Sequence, residues 1–252
     1  MNFKDKTILI SGASRGIGKA AAIAFASKGA KVGINYRTQT IEAKKTLKEL
    51  QGSGHQLFKR DISKKDEAKA LITDFLQHYG KIDILVNNAG IAIPHKIEDV
   101  SFDAWSSAWE TTLQTNLLAA ANLSFLASQA MINSGGGHIV NVSSRGAFRG
   151  EPDQPAYGAS KAGLNAMSQS LAKKLAPFKI YVGVVAPGFT ETDMATETLS
   201  TSEQQKILKE LPLRRMAKPE EVAHAILFLA SDETAYSTGA IIDVNGASYL
   251  RS

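Results

Sequence analysis

TILISGASRGIGKAAAIAFASKG, residues 7–29, passes from strand to loop to helix within one short stretch. Ile8 to Ile10 form an apolar run of the kind buried on both faces of a parallel sheet. The run breaks at Gly12, and the alanines and Phe25 that follow predict a helix ending at Gly29. Glycines 12, 16 and 18 permit a tight turn, a close backbone approach to a pyrophosphate, and a helix packed against its strand. The helix start offers unpaired N–H groups to the phosphates. Glycine spacing alone is a weak signal. The strand before it and the helix after it are the context that makes it a dinucleotide loop.

The same alternation continues to the end of the chain. Strand-like runs at Lys31–Tyr36, Gln56–Arg60, Ile82–Asn87, His138–Val142, Ile180–Val185 and Ile241–Val244 are separated by helix-like stretches. That pattern predicts an α/β fold, a Rossmann-type doubly wound parallel sheet with helices on both faces. The 252 residues, 44% of them hydrophobic, suit one substantial core, so residues 1–252 are read as a single domain. Residues 189–218 lack strand character and are expected to form a lid over a substrate.

Composition removes several function classes. The chain has no cysteine, which excludes disulfides, thiolate nucleophiles and cysteine-based metal sites. No apolar run reaches membrane-spanning length and no signal-peptide block opens the sequence, so a cytoplasmic protein is expected. Five histidines are scattered without metal-ligand spacing, and no metal is assigned. The net charge of +5 is spread over helices such as EAKKTLKEL, where acids and bases alternate. It marks no nucleic-acid stripe; it either favours anionic ligands or serves solubility.

A second motif supplies chemistry. NVSSRGAFRGEPDQPAYGASK places Ser144 thirteen residues before Tyr157, with Lys161 four residues beyond the tyrosine. Helical i, i+4 spacing puts phenol and ammonium on one face. A nearby fixed charge brings a phenol with an ordinary pKa near 10 towards the working range. Ser144 could then hold a substrate oxygen while Tyr157 exchanges a proton with it, which is chemistry for a carbonyl and its alcohol. Taken alone, the Tyr–Lys pair is also compatible with an ordinary helix start.

Together these motifs resemble the classical short-chain dehydrogenase/reductases, over nearly the whole chain. The resemblance implies coenzyme contacts from Gly12, Ser14, Arg15, Gly16, Ile17 and Gly18, and an adenine-side contact from Asp61 and Ile62 in RDIS. It likewise gives Asn88, Ala89 and Gly90 of NNAG to the coenzyme, and Pro187, Gly188, Thr190 and Thr192 to the nicotinamide amide. Asn116 in QTNLL would complete a catalytic tetrad with Ser144, Tyr157 and Lys161, acting through its backbone at a helix distortion to hold a relay water. Tyr157 and Lys161 would also touch the nicotinamide ribose. The second strand ends Asn35-Tyr36-Arg37, with a neutral tyrosine where an acid would bond a ribose 2′-hydroxyl. Arg37 and Arg15 suit a 2′-phosphate, so NADP(H) is expected; an ordinary surface role for Arg37 is the competing reading.

Three departures from the family pattern stand out: Gly183 in place of an asparagine, Gly246-Ala247 in place of paired glycines, and a longer gap between Gly90 and Asn116. Trp105 and Trp109 fall in that gap and read as core or interface, with an aromatic wall to the substrate pocket as the alternative. The overall likeness is to enzymes reducing a 3-oxoacyl thioester on an acyl carrier protein. Gly135 and Phe178 stand where basic residues for the carrier would be expected, with Lys173, Lys174 and Lys179 nearby. A ketone, diketone or sugar reductase, and a non-catalytic dinucleotide-binding regulator, are the other readings. The family's assembly habits imply a homotetramer or dimer, for which AHAILFLAS and AIIDVNGASYL are the candidate contacts; filling the monomer core is the competing reading of both.

Overall fold

The computed structural model describes residues 1–192 and 207–251. Seven strands, β1 (Thr7–Ile10), β2 (Lys31–Tyr36), β3 (Gln56–Lys59), β4 (Ile84–Asn87), β5 (Gly137–Val142), β6 (Ile180–Pro187) and β7 (Ile241–Val244), form one sheet. All pairings are parallel and the order is β3-β2-β1-β4-β5-β6-β7. The chain winds outward from β1 to β3, then returns to place β4 against the other side of β1. That reversal opens a crevice at the carboxyl ends of β1 and β4.

Period-two alternation divides the core between the two faces. Ile8, Ile10, Ile84, Val86, Val140 and Val142 point to one side, where they meet α1 (Gly16–Ala26) and α8 (Pro219–Leu229). Leu9, Leu85, Ile139 and Val182 point to the other, against α3 (Lys65–Tyr79), α5 (Ala119–Ser134) and α7 (Pro155–Leu175). Other helices among the described residues include α2 (Thr40–Glu49), α4 (Phe102–Leu113) and the short α6 (Gly146–Arg149). Both faces of the sheet are covered, as the unbroken apolar strands require.

Helix α1 stops at Ala26, earlier than the sequence suggests. Residues 27–29 turn instead, with Gly29 at φ +85° returning the chain so that the Ala30 N–H donates to the Phe25 carbonyl. Beyond β6 the ends of the 189–218 excursion are tied together. Ala217 donates to the Phe189 carbonyl and Glu191 to the Ala217 carbonyl, both at 2.9 Å. Within that span residues 193–206, including Met194 and Leu199, lie outside the described residues, while Leu208 is half-buried.

Gly183 has a packing reason. A Cβ built there would lie 2.9 Å from Cδ2 of Leu229, so α8 fills the space a side chain would take. Gly183→Asn should therefore overfill this contact and cost about 1–3 kcal/mol. The penalty should shrink in a Leu229→Ala background; denaturant melts of the four proteins of that cycle give the comparison.

Candidate active site

The glycine loop fills the crevice because it lacks side chains. Gly12 sits at φ +63°, and a Cβ there would come 2.8 Å from the Ala89 Cα. A Cβ on Gly18 would fall 2.6 Å from Nδ2 of Asn88, whose amide donates to the carbonyls of Ser11 and Gly12 at 3.0 Å each. Asn88 thereby fastens the end of β4 to the loop after β1. The Ser11 hydroxyl accepts from the N–H groups of Asn88 and Ala89 at 3.0 and 3.1 Å. Ser14 is buried, its carbonyl accepting from Thr46, and Ile17 packs against the core. No side chain caps α1 at Arg15, which leaves first-turn N–H groups for an anion.

The segment after β6 folds over this loop. A Cβ on Gly16 would meet Cγ2 of Thr192 at 3.1 Å, and Thr192 Oγ1 donates to the Thr190 carbonyl at 3.4 Å. Thr190 Oγ1 in turn donates to the Gly188 carbonyl at 3.3 Å, just past Pro187. On the far side of β1 lie Arg37, exposed at the end of β2, and Asp61 beyond β3. Asp61 Oδ1 accepts from the Ser63 N–H and hydroxyl, and Ile62 is buried. The residues expected to hold a dinucleotide therefore follow the carboxyl edge of the sheet from β3 to β6. The built cradle fits such a group.

Ser144, Tyr157 and Lys161 converge beside that edge. Ser144 follows β5, and its oxygen accepts from the Gly146 N–H at 3.0 Å and hydrogen-bonds the Tyr157 phenol. One turn beyond the tyrosine, Lys161 is only 4% exposed, with Nζ donating to the Val142 carbonyl at 2.8 Å. Gly90 gives it room, since a Cβ there would lie 3.3 Å from Nζ. Asn116 sits in a π-helical turn, Gln114–Leu118, closed by the Ala119 N–H on the Gln114 carbonyl. Its side chain is fully used: Oδ1 accepts from the Ile91 N–H, and Nδ2 donates to the Ile91 carbonyl and Ser160 Oγ. Any part it takes in chemistry falls to its backbone.

Electrostatics here differ from the sequence expectation. Burial pushes the Tyr157 phenol up, the hydrogen bond from Ser144 pulls the other way, and the charge of Glu151 adds to the rise. Lys161 does not reverse this, because its ammonium stands 5.8 Å from the ring centroid and burial pushes it down to about 8.

Several residues at the site were not singled out in the sequence. Arg145 is 5% exposed, lies 4.7 Å over the Phe189 ring, and donates to Ser248 Oγ at 2.8 Å. Glu151 packs against Gly146, which has no side chain to displace it. His95 is buried between Trp105 and Trp109, so the tryptophan pair encloses a histidine. No spacing rule flags Arg145 or His95, whose partners lie far off in sequence, and Glu151, though only five residues from Gly146, belongs to no recognised spacing. Lys173, Lys174 and Lys179 lie at the opposite, amino edge of the sheet, with Lys173 about 18 Å along α7 from Lys161. Topology therefore keeps them from the mouth of this chain's own site. Gly135 there is a left-handed helix cap and Phe178 is exposed. Among the described residues no group of three or more His, Asp or Glu side chains is placed to hold a metal ion.

A family model described as enoyl-(acyl carrier protein) reductase matches residues 12–247. The chain is 40% identical to the 3-oxoacyl-(acyl-carrier-protein) reductase FabG of Chlamydia trachomatis over 245 residues, 96% of each chain. It is 40% identical to that of Thermotoga maritima over 253 residues, 98% of each. Against that of Staphylococcus aureus the identity is 35% over 247 residues, 97% of this chain and 98% of the other.

The buried ammonium gives a pH signature independent of turnover. Burial lowers the folded Lys161 ammonium to about 8, below the value it has in the unfolded chain. Between pH 8 and the unfolded value near 10.4 the unfolded chain binds more protons, so folded stability rises with pH. The Tm of wild type relative to Lys161→Met should therefore climb across that window and stay flat below it. Parallel thermal melts from pH 6 to 10.5 measure the difference.

Proposed function

The chain belongs to the short-chain dehydrogenase/reductase family, and on that footing we propose that it reduces the 3-carbonyl of a 3-oxoacyl thioester to the secondary alcohol with NADPH. One observation carries the reading: the Ser144 and Tyr157 hydroxyls stand together beside the buried Lys161, at the edge where the glycine loop ends. A nicotinamide dinucleotide, the coenzyme of this family, supplies the hydride when bound. Ser144 and Tyr157 donate to the carbonyl oxygen and polarise it, and Tyr157 surrenders its proton as the alcohol forms. Lys161 places positive charge beside the phenol, and the Asn116 backbone at the π turn holds the water that returns a proton. A phenol held high by burial is a protonated donor at neutral pH, which suits the reductive direction.

The name of the matching family model mentions an enoyl substrate, whereas the relatives named above are 3-oxoacyl reductases. Two hydroxyl donors aimed at one oxygen favour the carbonyl over the carbon–carbon double bond. For coenzyme choice, the buried neutral Tyr36 and exposed Arg37 at the end of β2 favour the 2′-phosphate, and Arg15 in the glycine loop offers a second guanidinium. We read residues 1–252 as one domain with 189–218 as lid, of which 193–206 lie outside the described residues, and an acyl carrier protein as the carrier of the thioester.

Self-association as a dimer or tetramer is supported by exposed Phe102, Leu118 and Phe125 around α4 and α5, at 81%, 47% and 62%. The AIIDVNGASYL segment forms the edge strand β7 and leaves Leu250 exposed, which also suits a contact. In AHAILFLAS, Ala223, Ile226, Leu227 and Leu229 are spent in the chain's own core, which leaves Phe228, 40% exposed, as its apolar contact. A cytoplasmic address accords with the described residues, where no helix is long and apolar enough to cross a membrane.

NADPH oxidation with acetoacetyl and crotonyl thioesters, simple ketones and diketones tests this reading. Turnover of the acetoacetyl thioester with NADPH well above NADH is expected; activity confined to crotonyl thioester or to free ketones would replace the assignment. Arg37→Asp should raise the KM for NADPH about 10- to 100-fold, the worth of one charge-assisted contact, and spare NADH. Equal effects on both coenzymes would remove Arg37 from the phosphate site.

A further inference from the structure

We infer that His95 is a positioning residue for Tyr157, acting through the first turn of α7. This rests on the reading of Tyr157 as proton donor. The imidazole is 2% exposed and lies edge-on to both indoles, its centroid 5.0 Å from Trp105 and 6.4 Å from Trp109. Nδ1 stands 2.6 Å from the Ile93 carbonyl, a contact that requires the proton on Nδ1. Nε2 then presents its lone pair, and the Ala156 N–H donates to it at 3.4 Å. Ala156 immediately precedes Tyr157.

The surrounding bonds show why this contact matters. The His95 N–H donates to the Asp153 carbonyl at 2.8 Å, so the loop after β4 is already fastened to the loop that leads into α7. At its other end the same loop is gripped by Asn116 through both polar groups of Ile91. Both anchors fix backbone around the tyrosine. Asn116 also reaches α7 through Ser160 Oγ, which donates to the Tyr157 carbonyl, while His95 reaches the first-turn N–H just before the tyrosine. First-turn N–H groups have no partner inside their own helix, so an acceptor there fixes the helix start. Packing between two indoles would be served by an apolar ring without the cost of burying a polar one. The imidazole adds direction: it holds the Ala156 N–H, and through it the phenol, against Ser144.

Three variants separate positioning from packing. His95→Asn keeps a donor for Ile93 and loses the reach to Ala156; His95→Leu loses both; His95→Gln carries an acceptor at the distance of Nε2. Expected are kcat losses of about 10- to 100-fold for Asn and Leu on the acetoacetyl thioester, with NADPH affinity and KM within about twofold, and recovery in Gln. Wild-type kcat in His95→Asn and His95→Leu would overturn the inference. So would a loss in His95→Gln equal to that in His95→Leu and tracking Tm, because that is packing alone. A wild-type enzyme silent on the thioester strikes the proposed function instead. Nitrogen NMR of wild-type protein labelled at histidine needs no variant: an unprotonated Nε2 at His95 is expected, and an Nε2–H tautomer would refute the geometry.

Discussion

Lys161 carries its ammonium to a place where water barely reaches and the Val142 carbonyl accepts from it at 2.8 Å. Burying an ammonium costs several kcal/mol, and one charge-assisted hydrogen bond returns about 1.5–3. The deficit appears as the drop in its pKa to about 8. Neighbouring features make sense as accommodations to that charge. Gly90 stands aside for it, β5 turns a carbonyl towards it, and the π turn at Gln114–Leu118 brings Asn116 alongside Gly90 without occupying the ammonium's space. The sheet carries the cost, with Ile139, Val140 and Val142 of the same strand buried on both faces.

Topology explains why a dinucleotide and a carbonyl can meet at this charge. Because β4 lies against β1, the Asn88 amide can close the glycine loop, and β5 and β6 follow in register. Each successive carboxyl end then contributes one piece: glycines at β1, Asn88 to Gly90 at β4, Ser144 at β5, and Pro187 with Gly188 at β6. The helices contribute the rest, α7 supplying Tyr157 and Lys161 and the π turn supplying Asn116. Position along one edge, not proximity in sequence, assembles the site.

Most of this edge was legible in the chain, because each strand reads as an apolar run and each loop at its end carries a distinctive residue set. Seven strands fall within a residue or two of their sequence bounds, since burial on both faces leaves little freedom in an apolar run. Local conflicts were less visible. Where α1 ends depended on the Gly29 turn rather than on alanine content. AHAILFLAS suits a partner or the core by composition alone, and most of it packs in the core with α1. The lysines of α7 seemed near the site in sequence, yet twelve residues of helix carry them to the other edge. His95 and Arg145 could not be read at all, for their partners are brought by other loops, while Glu151 sits inside the serine–tyrosine motif with no spacing to mark it.

The central claim is that Tyr157 delivers the proton and that its hydroxyl is not what holds the coenzyme. Stopped-flow oxidation of NADPH by wild type and Tyr157→Phe, with acetoacetyl thioester and with NADPH binding measured in parallel, tests it most directly. The account predicts that the variant binds NADPH as wild type does and oxidises it at least about a hundredfold more slowly, the scale of a general acid. A variant that oxidises NADPH at near the wild-type rate would contradict it.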